Sequence, residues 1–209
     1  MTLPTMLPHG RDELLAWCRS VDEGPWSSLA VPERVTYTSH ALTVQLAAAA
    51  ALTERVRLWT TIVIVPAHPA VQVAKDLASV DVLSGGRLTV GVGVGGREHD
   101  DRAVGASLER RWERMDAQVD QMRAVWSGQP PFEGADPVGP APVQPGGPPV
   151  AAGVLGPKAL EKPQVAANLW YALGPDAEDR LRGYVYDYMH IFGADGAKSL
   201  AARATCSSP

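Results

Sequence analysis

The stretch Val56-Arg-Leu-Trp-Thr-Thr-Ile-Val-Ile-Val-Pro66 is rich in β-branched apolar residues, and so is Leu88-Thr-Val-Gly-Val-Gly-Val94 further along the chain. Neither run alternates apolar with polar residues, which is typical of parallel strands covered by helices on both faces. Between the two runs, apolar residues recur at helical spacing as far as Leu83, and Gly85-Gly86 provides the helix stop. The stretch therefore predicts a βαβ unit whose second strand ends in glycines that let a ligand approach the backbone.

Composition narrows the class of protein before any further motif is considered. The chain has 209 residues, a formal net charge of -4 and two cysteines far apart in the sequence. The acidic balance argues against a nucleic-acid surface, and the cysteine usage favours a reducing cytoplasm over a disulfide framework. The first residues lack the basic and apolar regions of a signal peptide, and no apolar run is long enough to cross a bilayer. We therefore expect a cytoplasmic globular protein with one sizeable core.

Strand and helix patterns alternate along most of the chain. The further predicted elements are strands at Leu3–Met6, Trp26–Val31, Pro149–Val154 and Val165–Leu173, and helices at Arg11–Val21, Ser39–Glu54, Ser107–Trp126 and from Gly174 to Gly193. Alternation of this kind predicts a parallel sheet, either a barrel or a doubly wound fold. The orderly arrival of the first four strands favours the barrel.

The helix predicted at Ser107–Trp126 has the clearest periodicity. Its apolar residues form one seam that we assign to the core: Leu108, Trp112, Met115, Val119, Met122 and Trp126. Ser107 is the candidate capping residue. The proline- and glycine-rich segment from Gly128 to Pro148 follows, and a loop of this length is usually a lid or an excursion over the surface.

One domain is expected to span residues 1–193, shortened near residues 160–165, with residues 194–209 as a poorly structured C-terminal tail that contains a short helical piece. Pro163 stops the helix that should join the last two strand patterns. Only ten residues separate those patterns, whereas a parallel crossover needs about a dozen or more. The chain therefore departs from regular βα alternation at this point.

Six short motifs carry a family resemblance: Leu52–Leu58, Val65–Pro69, Leu83–Leu88, Val90–Gly95, Trp126–Gly128 and Gly153–Leu160. Together they resemble the bacterial luciferase-like monooxygenase family, and within it the branch that uses the deazaflavin coenzyme F420. The resemblance implies a (β/α)8 barrel with flavin or F420 at the carboxyl ends of the strands. A complete barrel of this type takes roughly 250 residues, and this sequence offers six strand candidates. The expected fold class is therefore α/β, an incomplete TIM-type (β/α) barrel with parallel strands.

The resemblance also implies cofactor-binding residues in three places. Thr61 and Ile62 match the position where the family often has a non-proline cis peptide bond under the flavin ring, with an ordinary trans strand as the alternative. The strand end at Gly93, Val94 and Gly95 would line the deazaflavin edge and the substrate space. The loop Gly153, Val154, Leu155, Gly156 and Pro157 matches the phosphate-binding loop, because glycine backbone N–H groups and a helix N-terminus attract anions; a plain βα turn is its alternative.

His99 and Glu33 are the candidate acid or base of the site. His99 follows the glycine-rich strand, and its alternative is a histidine in a surface loop. Glu33 follows an earlier strand, and its alternative is a structural salt bridge. Luciferases carry Glu-His where this chain has Glu33-Arg34, and the family cysteine near the flavin falls at Gly93, so light emission is not expected. His68, before a proline at a helix start, is interpreted as a capping and packing residue.

The resemblance thus implies an oxidoreductase that transfers a hydride between F420 and a small organic substrate. FMN in place of F420 is one alternative. The other is a truncated, catalytically silent member that binds a flavin or serves as a structural partner. A homodimer is expected from the exposed sheet edge and from the family habit. No metal site, nucleic-acid partner or membrane partner is expected.

Overall fold

The computed structural model describes residues 1–3, 9–152, 176–189 and 194–203. The chain divides into two compact units, Met1–Val154 and Leu155–Pro209. The first unit contains the sheet and the candidate site. The strand predicted at Val165–Leu173 lies outside the described residues.

Helices and strands alternate through the first unit. Its elements are α1 (Arg11–Glu23), β1 (Ser28–Val31), α2 (Leu42–Leu52), β2 (Arg57–Ile64), a 3-10 turn (Val65–Ala67), α3 (Ala70–Leu83), β3 (Leu88–Gly93), α4 (Glu98–Ala103), α5 (Arg111–Trp126) and β4 (Val150–Ala152). The second unit contributes α6 (Ala177–Met189) and α7 (Ala194–Arg203), which pack against each other. None of the helices in the described part of the chain is long and apolar enough to span a membrane.

The four strands form one parallel sheet in the order β1-β2-β3-β4. Leu58 pairs with Leu88 in the β2–β3 register, so the βαβ unit predicted from the sequence is confirmed. Thr2 adds an isolated parallel bridge to Ala30 of β1. Each strand reaches its neighbour through helical structure, as in the first half of a (β/α) barrel, and the sheet does not close within the described residues. The predicted incomplete barrel with parallel strands is therefore the observed architecture.

One face of the sheet packs against the helices and forms the core. It consists of buried strand residues, with buried helix residues above them: Leu29, Val31, Leu58, Leu88, Val90, Leu46, Ala74, Leu77 and Met122. Each large aliphatic side chain buried in this way contributes about 1.5–3 kcal/mol relative to exposure. Strand residues on the opposite face, such as Ala30, Trp59 and Ala151, are only half-buried. Burial against the helices therefore determines which side chains of each strand point into the core.

The seam predicted along α5 is confirmed only in its second part. Met115, Met122 and Trp126 are buried, but Leu108 and Trp112 are 40% and 50% exposed. The helix begins at Arg111, after Arg110 with a positive φ of 48°, so the chain changes direction before the first turn. The Ser107 hydroxyl accepts a hydrogen bond from the Glu109 N–H, which caps a turn outside the helix. The assignment of Ser107 as the helix cap was wrong for that reason.

The long loop between α5 and β4 is an excursion over the surface. The Asp81 carboxylate, at the end of α3, accepts hydrogen bonds from the N–H groups of Val143 and Gln144. The Gln144 side chain donates to the carbonyl of Leu88, the first residue of β3, at 2.7 Å. This part of the loop therefore lies where the strands begin, and the alternative of a lid over the strand ends does not describe it.

Candidate active site

Polar side chains of the first unit collect where β1, β2 and β3 end, which we call the carboxyl edge of the sheet. In parallel α/β structures the carboxyl ends of the strands lie at one edge, and ligands bind there. The loop after β1 contributes Glu33 and the segment from Arg34 to Tyr37. The segment after β2 contributes His68, and α4 after β3 begins beside Arg97.

Glu33 holds the end of β2. The pairing of β1 with β2 stops at Val31 and Thr60, so β1 offers no backbone acceptor to the β2 residues beyond. The Glu33 carboxylate takes that place, because its Oε2 accepts the N–H of Ile64. Glu33 is only 8% exposed, and a buried carboxylate requires such partners to offset its lost hydration.

His68 supplies the second partner of this carboxylate. Its Nε2 lies 2.8 Å from Glu33 Oε1, and the two residues form an ion pair when the imidazole is protonated. The hydrogen bond to Glu33 raises the pKa of His68, and burial of the ring opposes it. The structural salt bridge considered for Glu33 is thus present. The capping and packing role predicted for His68 did not include this charged partner. Both residues lie in the segments that follow adjacent strands, which is the sequence signal that could have paired them.

The end of β2 is irregular beside Thr61 and Ile62. Their peptide bond is cis, as the resemblance implied, and the β2–β3 register shifts between Thr60 and Val63. Both Thr61 and Ile62 are only half-buried. They therefore present side-chain and backbone surface at the carboxyl edge.

The glycines of β3 make room for β2. A Cβ at Gly91 would lie 2.2 Å from the Thr60 carbonyl oxygen, and a Cβ at Gly93 would lie 2.6 Å from Ile62 Cδ1. At Gly91 and Gly93 the neighbouring strand β2 therefore occupies the space beside the backbone, and contact between Gly93 and a ligand stays a prediction. Gly95 has a positive φ of 74° and starts the turn into α4. Val94 is buried, with 5% of its surface exposed.

A second polar cluster joins the loop after β1 to the start of α4. Asp100 Oδ1 accepts hydrogen bonds from the Thr36 N–H and hydroxyl, at 2.9 and 2.6 Å. Arg97 donates from Nη1 to the Thr36 hydroxyl at 2.8 Å and lies 3.4 Å from Asp100. The Arg97 guanidinium also stacks 4.7 Å from the centroid of the Tyr37 ring, which Arg34 approaches to 5.7 Å. Sequence reasoning missed this cluster, although both of its segments follow strands of the same predicted sheet.

Two carboxylates of α4 are buried with an oxygen that has no hydrogen-bond partner in the described part of the chain. They belong to Asp100, 1% exposed, and Asp101, 2% exposed. Burial raises the pKa of Asp101, with the nearby Arg111 opposing. Buried unsatisfied oxygens of this kind are uncommon and often mark functional sites.

The predicted site residues are brought together only in part. Glu33 and His68 are in contact. Glu33 also accepts a hydrogen bond from the N–H of Ile64, which closely follows the Thr61–Ile62 peptide bond in the sequence. His99 lies on α4 with its side chain exposed, and no hydrogen bond or ion pair joins it to Glu33. The loop from Gly153 to Pro157 lies outside the described residues. Among the described residues there is no group of three or more His, Cys, Asp or Glu side chains that could hold a metal ion.

A parallel βα sheet that does not close within the described residues defines the fold as an incomplete (β/α) barrel. The chain belongs to the luciferase-like monooxygenase family, whose sequence model matches residues 4–199. Among curated relatives, an uncharacterised protein of Mycobacterium tuberculosis is 37% identical over 84 residues, which is 40% of this chain and 30% of that protein. The 4-hydroxyprotoasukamycin monooxygenase of Streptomyces nodosus subsp. asukaensis is 30% identical over 122 residues, 58% of this chain and 30% of that protein.

Solved structures with the same fold include three oxidoreductases. The monooxygenase RslO1 of Streptomyces bottropensis superposes with a TM-score of 0.62 at 22% identity, covering 91% of this chain and 60% of that one. An F420-dependent secondary alcohol dehydrogenase bound to an F420–acetone adduct gives 0.62 at 21% identity, covering 72% and 50%. The oxygenating component of 3,6-diketocamphane monooxygenase from Pseudomonas putida, with FMN, gives 0.58 at 17% identity, covering 71% and 48%. This chain thus spans about half the length of these structures.

Proposed function

We propose that the chain is an oxidoreductase that binds coenzyme F420 at the carboxyl edge and passes a hydride to or from a small organic substrate. The observation that carries the proposal is the convergence of Glu33, His68, Arg97 and Asp100 on neighbouring strand ends of a luciferase-like sheet. The structural neighbour that binds an F420–acetone adduct supports this choice of cofactor. When bound, F420 supplies the hydride-carrying carbon, and the protein supplies binding, orientation and exclusion of water.

The half-buried pair Thr61 and Ile62 of β2 fits a flat, largely apolar ring. Thr61 and Ile62 are partly exposed there, and Glu33 holds the following residue Ile64 in place. We assign the ring to this surface, with Gly93, Val94 and Gly95 at its edge through their backbone. The phosphate would lie in the loop from Gly153 to Pro157, where glycine N–H groups suit an anion.

Glu33 and His99 differ in what they offer as acid or base. Both oxygens of Glu33 are engaged, one by Ile64 and one by His68, so Glu33 acts as a base only after releasing a partner. His99 is exposed to solvent. We therefore assign proton exchange with substrate to His99 and electrostatic support to Glu33.

Direct titration tests the proposal. Purified protein is mixed with F420 and, separately, with FMN, and cofactor absorbance and fluorescence are followed. Saturable F420 binding followed by reduction of F420 with a donor alcohol supports the proposal. Binding of FMN alone would instead indicate FMN as the cofactor, which is the flavin bound in the diketocamphane monooxygenase structure. Ile62→Asp should abolish binding, while Val44→Ala, on a side chain of α2 that is 58% exposed, should leave it unchanged.

A catalytically silent scaffold is the second candidate function. It is favoured by a sheet that does not close within the described residues. In this case neither cofactor binds, or a cofactor binds and is never reduced by any donor. The same titration therefore separates the two functions.

We also propose a cytoplasmic homodimer. Apolar side chains on α2 and α3 are exposed, with Val44, Val82 and Leu83 at 58%, 42% and 60%. Cys18 is free and buried, and burial raises the pKa of its thiol to about 11, which suits a reduced, unreactive cysteine. Light scattering on a size-exclusion column should give twice the mass of 22.2 kDa, and a monomer would contradict the dimer.

A further inference from the structure

We propose that Arg97 is a binding residue for an oxyanion, a carboxylate or a phosphate, at the carboxyl edge of the sheet. The identity of the molecule that carries the oxyanion rests on the proposed function, whereas binding of the anion itself is measured separately.

The free edge of the Arg97 guanidinium is the first observation. Its Nη1 is occupied by the Thr36 hydroxyl at 2.8 Å and by Asp100 at 3.4 Å. The Arg97 Nε and Nη2 atoms donate to no residue in the described part of the chain. Neither nitrogen is among the buried side-chain atoms of that part that lack a hydrogen-bond partner. These two nitrogens form the side of arginine that binds both oxygens of a carboxylate or phosphate at once.

The orientation of this edge is fixed before any ligand arrives. Asp100, 1% exposed, holds Thr36 by two hydrogen bonds, and Thr36 in turn accepts from Arg97. The Tyr37 ring lies 4.7 Å from the guanidinium and supports its plane. The Arg97 side chain is 17% exposed, so it has lost most of its rotamer freedom while keeping access to solvent. Preorganisation of this kind reduces the entropy that binding must cost.

The surrounding charges leave the free edge positive. The nearest carboxylate, Asp100, uses one oxygen for Thr36 and Arg97 together. Glu33 is paired with His68, and Glu98 lies 3.7 Å from Arg102. The Arg34 guanidinium lies 5.7 Å from the centroid of the same Tyr37 ring and adds a second cation to the cluster. An anionic group is therefore favoured here over a neutral or cationic one.

Binding of simple anions tests the proposal without any cofactor. Inorganic phosphate and benzoate are titrated into the full chain by isothermal calorimetry. The Arg97→Lys variant keeps the positive charge but loses the two-pronged geometry, so its affinity for both anions should fall about tenfold or more. Arg102→Lys is the matched control, since Arg102 lies on the same helix with a side chain that is 73% exposed, and it should bind as the wild type does.

A second variant and a pair of flavins complete the test. Tyr37→Leu removes the supporting ring without touching the charge, and its anion affinity should fall between those of the wild type and Arg97→Lys; circular dichroism checks that each variant is folded. If the oxyanion belongs to the cofactor, Arg97→Lys should weaken FMN more than riboflavin, which lacks the phosphate. If it belongs to the substrate, FMN affinity stays constant while benzoate affinity falls.

Equal anion affinity in wild type and Arg97→Lys would overturn the inference. If the wild type binds neither flavin nor F420 but still binds anions in an Arg97-dependent way, the proposed function alone is refuted.

Discussion

The two edges of the sheet are built differently. At the edge where strands begin, Arg87 donates hydrogen bonds to acceptors on Ala50, Thr53, Val56 and Ser84. At the carboxyl edge, Asp100 and Asp101 each keep a buried oxygen without a described partner, and Arg97 keeps a free side. The first edge is a saturated polar network, which is what stability requires. The second is not saturated within the described residues.

The largest expected effect tests the edge where strands begin. Arg87→Met removes the donor to several backbone carbonyls and should lower the free energy of unfolding by about 3 kcal/mol or more. Arg97→Met, the matched change at the carboxyl edge, should cost about 1 kcal/mol or less. Urea unfolding followed by circular dichroism measures both. Equal losses of unfolding free energy would show that the two edges contribute alike to stability and would contradict the difference drawn between them.

A smaller effect sharpens the description of the carboxyl edge. Gly93→Ala places a Cβ 2.6 Å from Ile62 Cδ1, and overpacking of this kind costs about 1–3 kcal/mol. Ile62→Val deletes that Cδ1, so the double variant should recover at least half of the loss. If the double variant is as unstable as Gly93→Ala alone, the glycine serves another purpose than making room for β2.

The smallest expected effect concerns the Glu33–His68 pair and is dependent on pH. The pKa of His68 is raised in the folded protein, so its pairing stabilises the fold fully below the ordinary histidine pKa, and that contribution is lost as pH rises through the raised value. Glu33→Gln removes the charge and should cost about 1 kcal/mol at low pH and less at high pH.

Nuclear magnetic resonance titration of the His68 ring gives the direct readout. The Glu33→Gln variant should bring the pKa of His68 down from its wild-type value. An unchanged His68 pKa would mean that Glu33 does not set the charge of the ring.

The sequence predicted the sheet better than the site, for physical reasons. Continuous apolar runs are typical of parallel strands, so β2 and β3 and their parallel direction could be predicted from Val56 to Val94, although the face of β2 opposite the helices is only half-buried. Side-chain partners far apart in the chain leave no such pattern. Glu33 and His68 meet only because β2 outruns β1, and Arg97 reaches Thr36 across the β2 end.

The glycines of β3 show that an unusual residue in a sequence does not identify its neighbour. A glycine in a strand indicates that something comes close to the backbone, but not what. In this protein it is Thr60 and Ile62 of the adjacent strand. The exposed Trp112 is a similar case, since helical spacing predicts a face and only the start of the helix decides where that face begins.

Hydrogen–deuterium exchange with and without F420 tests the central claim most directly. The account predicts slower exchange in peptides that cover residues 61–68 and 93–100 when F420 is added, and unchanged exchange in peptides that cover residues 81–88. Protection at residues 81–88 alone, or no protection anywhere at a saturating F420 concentration, would contradict a cofactor site at the carboxyl edge.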